Sequence, residues 1–193
     1  MNQRAEHDQR ESCSIKSCFN TTMIVLMAGL PGTGKTTRAH ALAAQTGGRV
    51  LSKDEIRHAL FAPDEIEYSS IQDDFCVQIM LETADYLLQK DSKRILFLDG
   101  RTFSRRYQIE NVVNAADSLH QSWRILECAC AEEIAKRRLW EQSASGEHPA
   151  GNRNSQLYLE VKSRFESITL SKTVINTGQS LQVCIEQGLV ALC

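Results

Sequence analysis

Apolar and polar positions divide this chain into short apolar runs separated by amphipathic stretches. Residues 23–28 form an unbroken apolar run that ends at Gly29, the pattern of a strand buried on both faces. Past Lys35 the period changes: Ala39, Leu42 and Ala43 recur at helical spacing until Thr46-Gly47-Gly48 stops the pattern. Residues 49–51 predict a short second strand. Ser52 with Glu55 three residues on has the form of a capping box, predicting a helix over 54–61 that Pro63 closes. Ile71, Phe75 and Ile79, followed by Met80, Ala84, Leu87 and Leu88, predict a helix over 71–90 with these residues as its apolar stripe.

The second half repeats the alternation. Residues 94–100 hold an apolar strand ending in Asp99, and a helix follows over about 104–116. Residues 123–129 predict a fourth strand and 131–142 a helix rich in Lys and Arg. Residues 143–154, full of Gly, Ser, Pro and Asn, form a loop long enough to act as a lid. A helix over 156–168, a strand over 173–176 and a helix over 181–189 complete the chain. Strands alternating with helices imply an α/β fold, a parallel sheet covered on both faces. Ligands of such sheets sit beyond the carboxyl ends of the strands. Three groups fall there: the loop after the first strand, Asp54 after the second and Asp99 after the third.

That first loop carries the most specific signal. Gly29-Leu30-Pro31-Gly32-Thr33-Gly34-Lys35-Thr36 satisfies G-x-x-x-x-G-K-[ST] at every fixed position, between a strand and a helix. The glycines let the backbone curl with its N–H groups inward, and the helix N-terminus adds unpaired donors and partial positive charge. This cradle fits the phosphates of ATP. Lys35 is expected over the β- and γ-phosphates, the Thr36 hydroxyl on Mg²⁺, and Thr37 near the α-phosphate.

Phosphoryl transfer also needs a group to take the acceptor's proton. Asp54 is the candidate, with Arg57 one turn on to clamp the acceptor. The same spacing also describes a first-turn acid favoured by the helix dipole and paired with an i,i+3 arginine. Asp99, at the end of a strand too apolar for a sheet edge, reads as a holder of the Mg²⁺ shell, or as half of an Asp-Gly turn. Arg101, Arg105 and Arg106 follow it, one of them a candidate to face the acceptor. Arg137 and Arg138 precede the loop and Arg153 ends it. Adjacent residues lie about 100° apart on a helix, so at most one of 137 and 138 points at the site. His148 reads as solvated, and Trp123 and Trp140 as packing residues.

The bulk properties narrow the choices. The chain has 193 residues and a formal net charge of −2, suiting one domain over 22–193 after a poorly ordered tail over 1–21, with a lid over about 138–155. That charge does not favour a large nucleic-acid footprint. No stretch approaches a membrane span. The seven cysteines show no framework. Cys13 and Cys18 lack the further ligands of a zinc site, and Cys128 and Cys130 alternate as small core residues on one side of a strand. A reduced, cytoplasmic protein is expected.

GLPGTGKTT, SKDEIR, ILFLDG and the arginine-bearing helix and lid together resemble the P-loop kinases of the "AAA domain, predicted kinase" group. That group is close to polynucleotide 5′-hydroxyl kinases, zeta toxins and chloramphenicol phosphotransferases. The resemblance spans about residues 23–188. It implies a three-layer P-loop NTPase fold with five parallel strands in the order 2-3-1-4-5. It also implies Asp54 as general base, Arg57 on the acceptor, and Arg138 on the phosphates of ATP. Related sequences often carry a second arginine one turn later; here that place holds Gln142, with Arg153 as the replacement. Residues 174–178 resemble the strand and turn bordering the adenine. The expected activity is transfer of the γ-phosphoryl group to a hydroxyl of a small molecule or a nucleic-acid 5′ end. The alternative is a nucleotide-binding switch or toxin-like, partner-binding protein without such activity.

Overall fold

The computed structural model describes residues 22–91, 93–145 and 155–193. The expected tail, Cys13, Cys18, His148, Arg153 and residues 146–154 of the expected lid lie outside them. Five strands, β1 (Met23–Ala28), β2 (Arg49–Ser52), β3 (Ile95–Asp99), β4 (Ser122–Ala129) and β5 (Thr173–Asn176), form one sheet in the order β2-β3-β1-β4-β5. All neighbouring pairs are parallel. The helices are α1 (Lys35–Thr46), α2 (Lys53–Leu60), α3 (Ser70–Lys90), α4 (Arg106–Ser118), α5 (Glu132–Ser145), α6 (Ser155–Ser163) and α7 (Leu181–Leu192), with one 3₁₀ turn at Pro63–Glu65. This is the expected α/β three-layer fold with the expected strand order.

β1 lies at the centre because all six of its residues are buried. Its alternate side chains feed two cores, as the two-residue strand period requires. Ile24, Leu26 and Ala28 pack with Val77, Met80 and Ala84 of α3 and Val112 and Ala116 of α4. Met23, Val25 and Met27 pack on the other face with Ala39 and Leu42 of α1 and Cys184 and Leu192 of α7. Truncating such a side chain, Leu42→Ala for example, costs about 2–5 kcal/mol. The β1–β3 register, Leu26 opposite Leu98, leaves Asp99 at the carboxyl edge where the phosphate loop begins. Among the described residues no helix is long and apolar enough to cross a membrane.

Several local expectations change. The buried face of α3 is Cys76, Val77, Met80, Ala84 and Leu88, whereas Ile71 is 83% and Phe75 53% exposed. Polar anchoring sets this phase. Ser69 accepts from the amide of Gln72 (3.1 Å), and the buried Gln72 side chain donates to Glu65 O (2.8 Å) and accepts from Glu67 N (3.1 Å). Gln72 therefore faces inward, and Phe75 meets Phe61 edge-on at 6.0 Å. α4 starts at Arg106 rather than near 104, because Phe103 takes φ 51° and Arg105 is extended. Glu166, beyond the early end of α6, accepts from Arg106 N (2.7 Å) and caps that start. The expected loop also shortens, since α5 runs to Ser145. Trp140 is 70% exposed rather than packed. Cys130 lies past β4 and packs beside Leu30 in a third cluster, apart from Cys128.

Candidate functional site

The phosphate loop connects β1 to α1. Gly34 is the N-cap of α1 at φ 79°, with no side-chain cap bond and no acid in the first turn. The left-handed backbone suits glycine, and the site is crowded: a Cβ there would lie 2.5 Å from Arg38 Nη1 and 3.6 Å from Arg138 Nη1. An uncapped N-terminus without a first-turn acid keeps its amides and its dipole for an external anion. Lys35 is buried, and its ammonium donates to Gly29 O and Leu30 O, both at 2.9 Å. Thr33 closes the ring by donating to Leu30 O at 2.8 Å. Thr36 is half-buried and Thr37 exposed at the start of the helix.

Two arginines stand over the loop's end. Arg138 of α5 donates to Thr177 O at 2.9 Å, and the buried Arg38 of α1 donates to the same carbonyl at 3.2 Å. Arg137 faces away, 3.9 Å from Glu141 on the surface of α5. Thr177, fully buried after β5, is held by Ala129 O through its amide (2.8 Å) and hydroxyl (3.2 Å). The segment expected at the adenine is thus tied to the end of β4 and to both arginines.

Asp99 is 1% exposed and pairs in register with Ser52. Its Oδ1 is buried and has no hydrogen-bond partner among the described residues. A buried carboxylate oxygen without a donor, beside a phosphate loop, fits a cation. The described residues contain no group of three His, Cys, Asp or Glu that could cage a metal. A magnesium ion here would combine Asp99 and Thr36 with water and phosphate oxygens, in keeping with that ion's reluctance to dehydrate. Gly100, at φ 92°, lets β3 run under the start of α2: a Cβ there would lie 3.0 Å from Lys53 N and 3.1 Å from Asp54 N.

The α2 cluster is denser than the sequence suggested. Asp54 Oδ1 accepts from Arg57 Nη1 at 3.0 Å and lies 3.2 Å from Lys53 Nζ. Asp73 of α3 binds the same two cations, Lys53 at 2.6 Å and Arg57 through Nη2. Arg57 is 1% exposed, and its guanidinium lies over the Tyr68 ring at 5.1 Å. Tyr68 itself takes φ 52°, a strained backbone for a bulky residue. Burial holds the Lys53 ammonium down at about 8, and the nearby Arg57 and Arg101 add to this against the upward pull of Asp54.

Pro31 of the phosphate loop, Asp54, Arg57, Arg101 and Val161 of α6 share one cleft of about 110 Å³. Its far wall is fixed by Glu132 of α5, which bridges Lys136 (2.6 Å) and Lys162 of α6 (2.5 Å). Hydrogen bonds from Lys136 and then Lys162 hold that carboxyl at about 2. Lys53, Asp73, Tyr68 and Arg38 were not among the sequence candidates. Lys53 could have been found from its place beside Asp54. The others had no local signal, since each meets its partner only through packing.

A strand, a phosphate loop and a helix at the centre of a 2-3-1-4-5 sheet define a P-loop NTPase fold. The AAA domain family profile matches residues 24–167, and the chain belongs to that family. No curated protein sequence matches the chain. Among solved structures it is similar to a gluconokinase from Sinorhizobium meliloti 1021 (15% identity, 90% of this chain and 92% of that one, TM-score 0.64). It is also similar to a sugar kinase from Janibacter sp. HTCC2649 (18%, 90% and 94%, 0.59). A third is the Mycobacterium tuberculosis APS kinase CysC in complex with AMPPNP and APS (14%, 90% and 98%, 0.60).

Proposed function

We propose that this protein is an ATP-dependent kinase that transfers the γ-phosphoryl group to a hydroxyl of a small molecule or a nucleic-acid 5′ end. The observation that carries the reading is one cleft lined both by Pro31 of the phosphate loop and by Asp54, which Lys53 and Arg57 hold in place. The kinases with similar folds agree with it.

In this reading the amides of residues 29–36 and Lys35 hold the nucleotide's phosphates, whose oxygens are stronger acceptors than the carbonyls of Gly29 and Leu30. Arg138 adds positive charge at the loop's end. Thr36 and Asp99 would hold Mg²⁺, which neutralises charge on the phosphates. Arg57 orients the acceptor, and Asp54 takes the proton of its hydroxyl. The acceptor oxygen bonds to the γ-phosphorus as the bond to the β–γ bridging oxygen breaks, and ADP leaves with that electron pair. Most of the catalysis is positioning and charge neutralisation, with the base adding about 10²–10⁴-fold.

The test is a γ-labelled ATP transfer screen over nucleosides, antibiotics, sugars, sugar acids and oligonucleotide 5′ ends. Asp54→Ala is expected to lose transfer while keeping ATP affinity within a few-fold. Undiminished turnover in that variant removes Asp54 from the mechanism. ATP binding without transfer to any acceptor favours a nucleotide switch.

A further inference from the structure

The charges lining the acceptor cleft are not balanced. Four cationic side chains, Lys53, Arg57, Arg101 and Arg164, face it with two carboxylates, Asp54 and Asp73. Those two carboxylates are matched by Lys53 and Arg57. The remaining cations have no carboxylate in the lining. Arg101 leaves β3 at the cleft's edge with its side chain only 4% exposed. Its ion-pair partner, Asp74 at 2.5 Å, is not a cleft residue; its Nη2 donates to Tyr107 Oη at 3.5 Å, and its buried Nε has no hydrogen-bond partner among the described residues. Arg164, just past α6, lines the same cleft, and its side chain makes no hydrogen bond or ion pair among the described residues.

The planar forks of guanidinium groups suit carboxylate, sulfate and phosphate oxygens, and Arg101 and Arg164 bring two of them to this cleft. The nucleotide's own phosphates do not answer for them, because the cations expected on those phosphates, Lys35 and Arg138, are not among the residues that line this cleft. The cleft, about 110 Å³, is smaller than the ~150 Å³ cavity that takes benzene, so it suits a compact charged unit of a few heavy atoms.

We infer that the acceptor is a hydroxylated anion, its carboxylate, sulfate or phosphate group seated between Arg101 and Arg164 and its hydroxyl turned toward Asp54. This rests on the kinase reading and narrows its substrate class. An anion in that place also relieves the crowding of positive charge around Lys53.

The experiment has two arms. In the first, the full chain is saturated with Mg·AMP-PNP, so that the phosphate loop is occupied, and titrated with sodium sulfate against sodium chloride of equal ionic strength. The expected result is a saturable rise in melting temperature, with sulfate affinity about ten-fold weaker in Arg164→Gln, the scale of one charge-assisted contact. Arg164 is exposed, so that variant keeps its fold; Arg101→Gln, checked by AMP-PNP binding, should show a similar loss. No saturable effect of sulfate, or equal affinity in wild type and Arg164→Gln, overturns the inference.

The second arm measures ADP release with pairs that differ in one anionic group: glycerate and glycerol, gluconate and glucitol, nucleoside 3′-monophosphate and nucleoside. The anionic member is expected to win by at least ten-fold in kcat/KM, with Arg164→Gln raising its KM and sparing kcat. A neutral member that equals or beats its partner overturns the inference and leaves the kinase reading standing. Sulfate binding through Arg164 with no transfer in any pair supports the anion subsite and counts against the kinase reading, so the two failures are distinct.

Discussion

Replacing Arg57 by methionine tests the buried charge network on which the acceptor cleft is built. Arg57 is 1% exposed and holds Asp54 through Nη1 and Asp73 through Nη2. Methionine keeps much of the volume and removes the charge. Breaking a buried pair from one side costs about 3–5 kcal/mol, because the partner stays buried without its counter-charge. Here Lys53 still reaches both carboxylates, at 3.2 Å and 2.6 Å, so the low end of that range applies. Loss of the contact over Tyr68 adds about 1 kcal/mol. The sum is about 3–4 kcal/mol, or about 6–16 °C in melting temperature for a chain of this size. The Lys53 pKa moves up from about 8, since a cation that lowers it is gone. Urea unfolding at pH 7 reads the free energy, and a parallel series with Mg·ATP reads nucleotide stabilisation. The second quantity should match wild type, because Arg57 touches no residue of the phosphate loop through any bond described above. A stability change under about 1 kcal/mol, or loss of ATP stabilisation, would refute this account of the cluster.

Other expectations follow from the same geometry. Asp99→Asn removes a buried carboxylate whose Oδ1 has no donor; the apo variant should melt no lower than wild type and lose the magnesium-dependent part of stabilisation by ATP, measured by thermal shift. A lower apo melting temperature would show that Asp99 is mainly a structural acid. The Lys53 pKa, about 8 in the fold against an ordinary 10.5, sets a pH dependence. Between those values the unfolded chain holds the proton and the folded chain releases it, so Lys53's contribution to stability rises with pH. Its charged form costs the fold about 3 kcal/mol below pH 8. The difference in unfolding free energy between wild type and Lys53→Met should therefore grow by about 2–3 kcal/mol in favour of wild type from pH 7 to 10. A flat difference would mean that Lys53 is not desolvated.

Local pattern carried the strands, the helices, the phosphate loop and the pairing of Asp54 with Arg57. Each of these depends on neighbours a few residues apart: a period of two or 3.6, a cap, or one helical turn. The alternation of β and α segments was enough for a parallel sheet, and the family resemblance supplied its strand order. The phase of α3 was not legible, because Ile71 and Phe75 are as apolar as the residues that are buried. Hydrogen bonds between the Gln72 side chain and the 65–67 segment turn them outward.

The same limit applies to the site. Helical spacing restricted Arg137 and Arg138 to one inward residue but did not say which. The carbonyl of Thr177, 39 positions away in sequence, accepts from Arg138. Asp73 meets Arg57 across 16 positions and Arg38 meets Thr177 across 139. Spacing along a chain governs contacts within an element. Contacts between elements depend on how their buried faces dock, so the counter-charges, the stacked tyrosine and the arginines gathered at the cleft emerge only when the sheet and its helices close on one another.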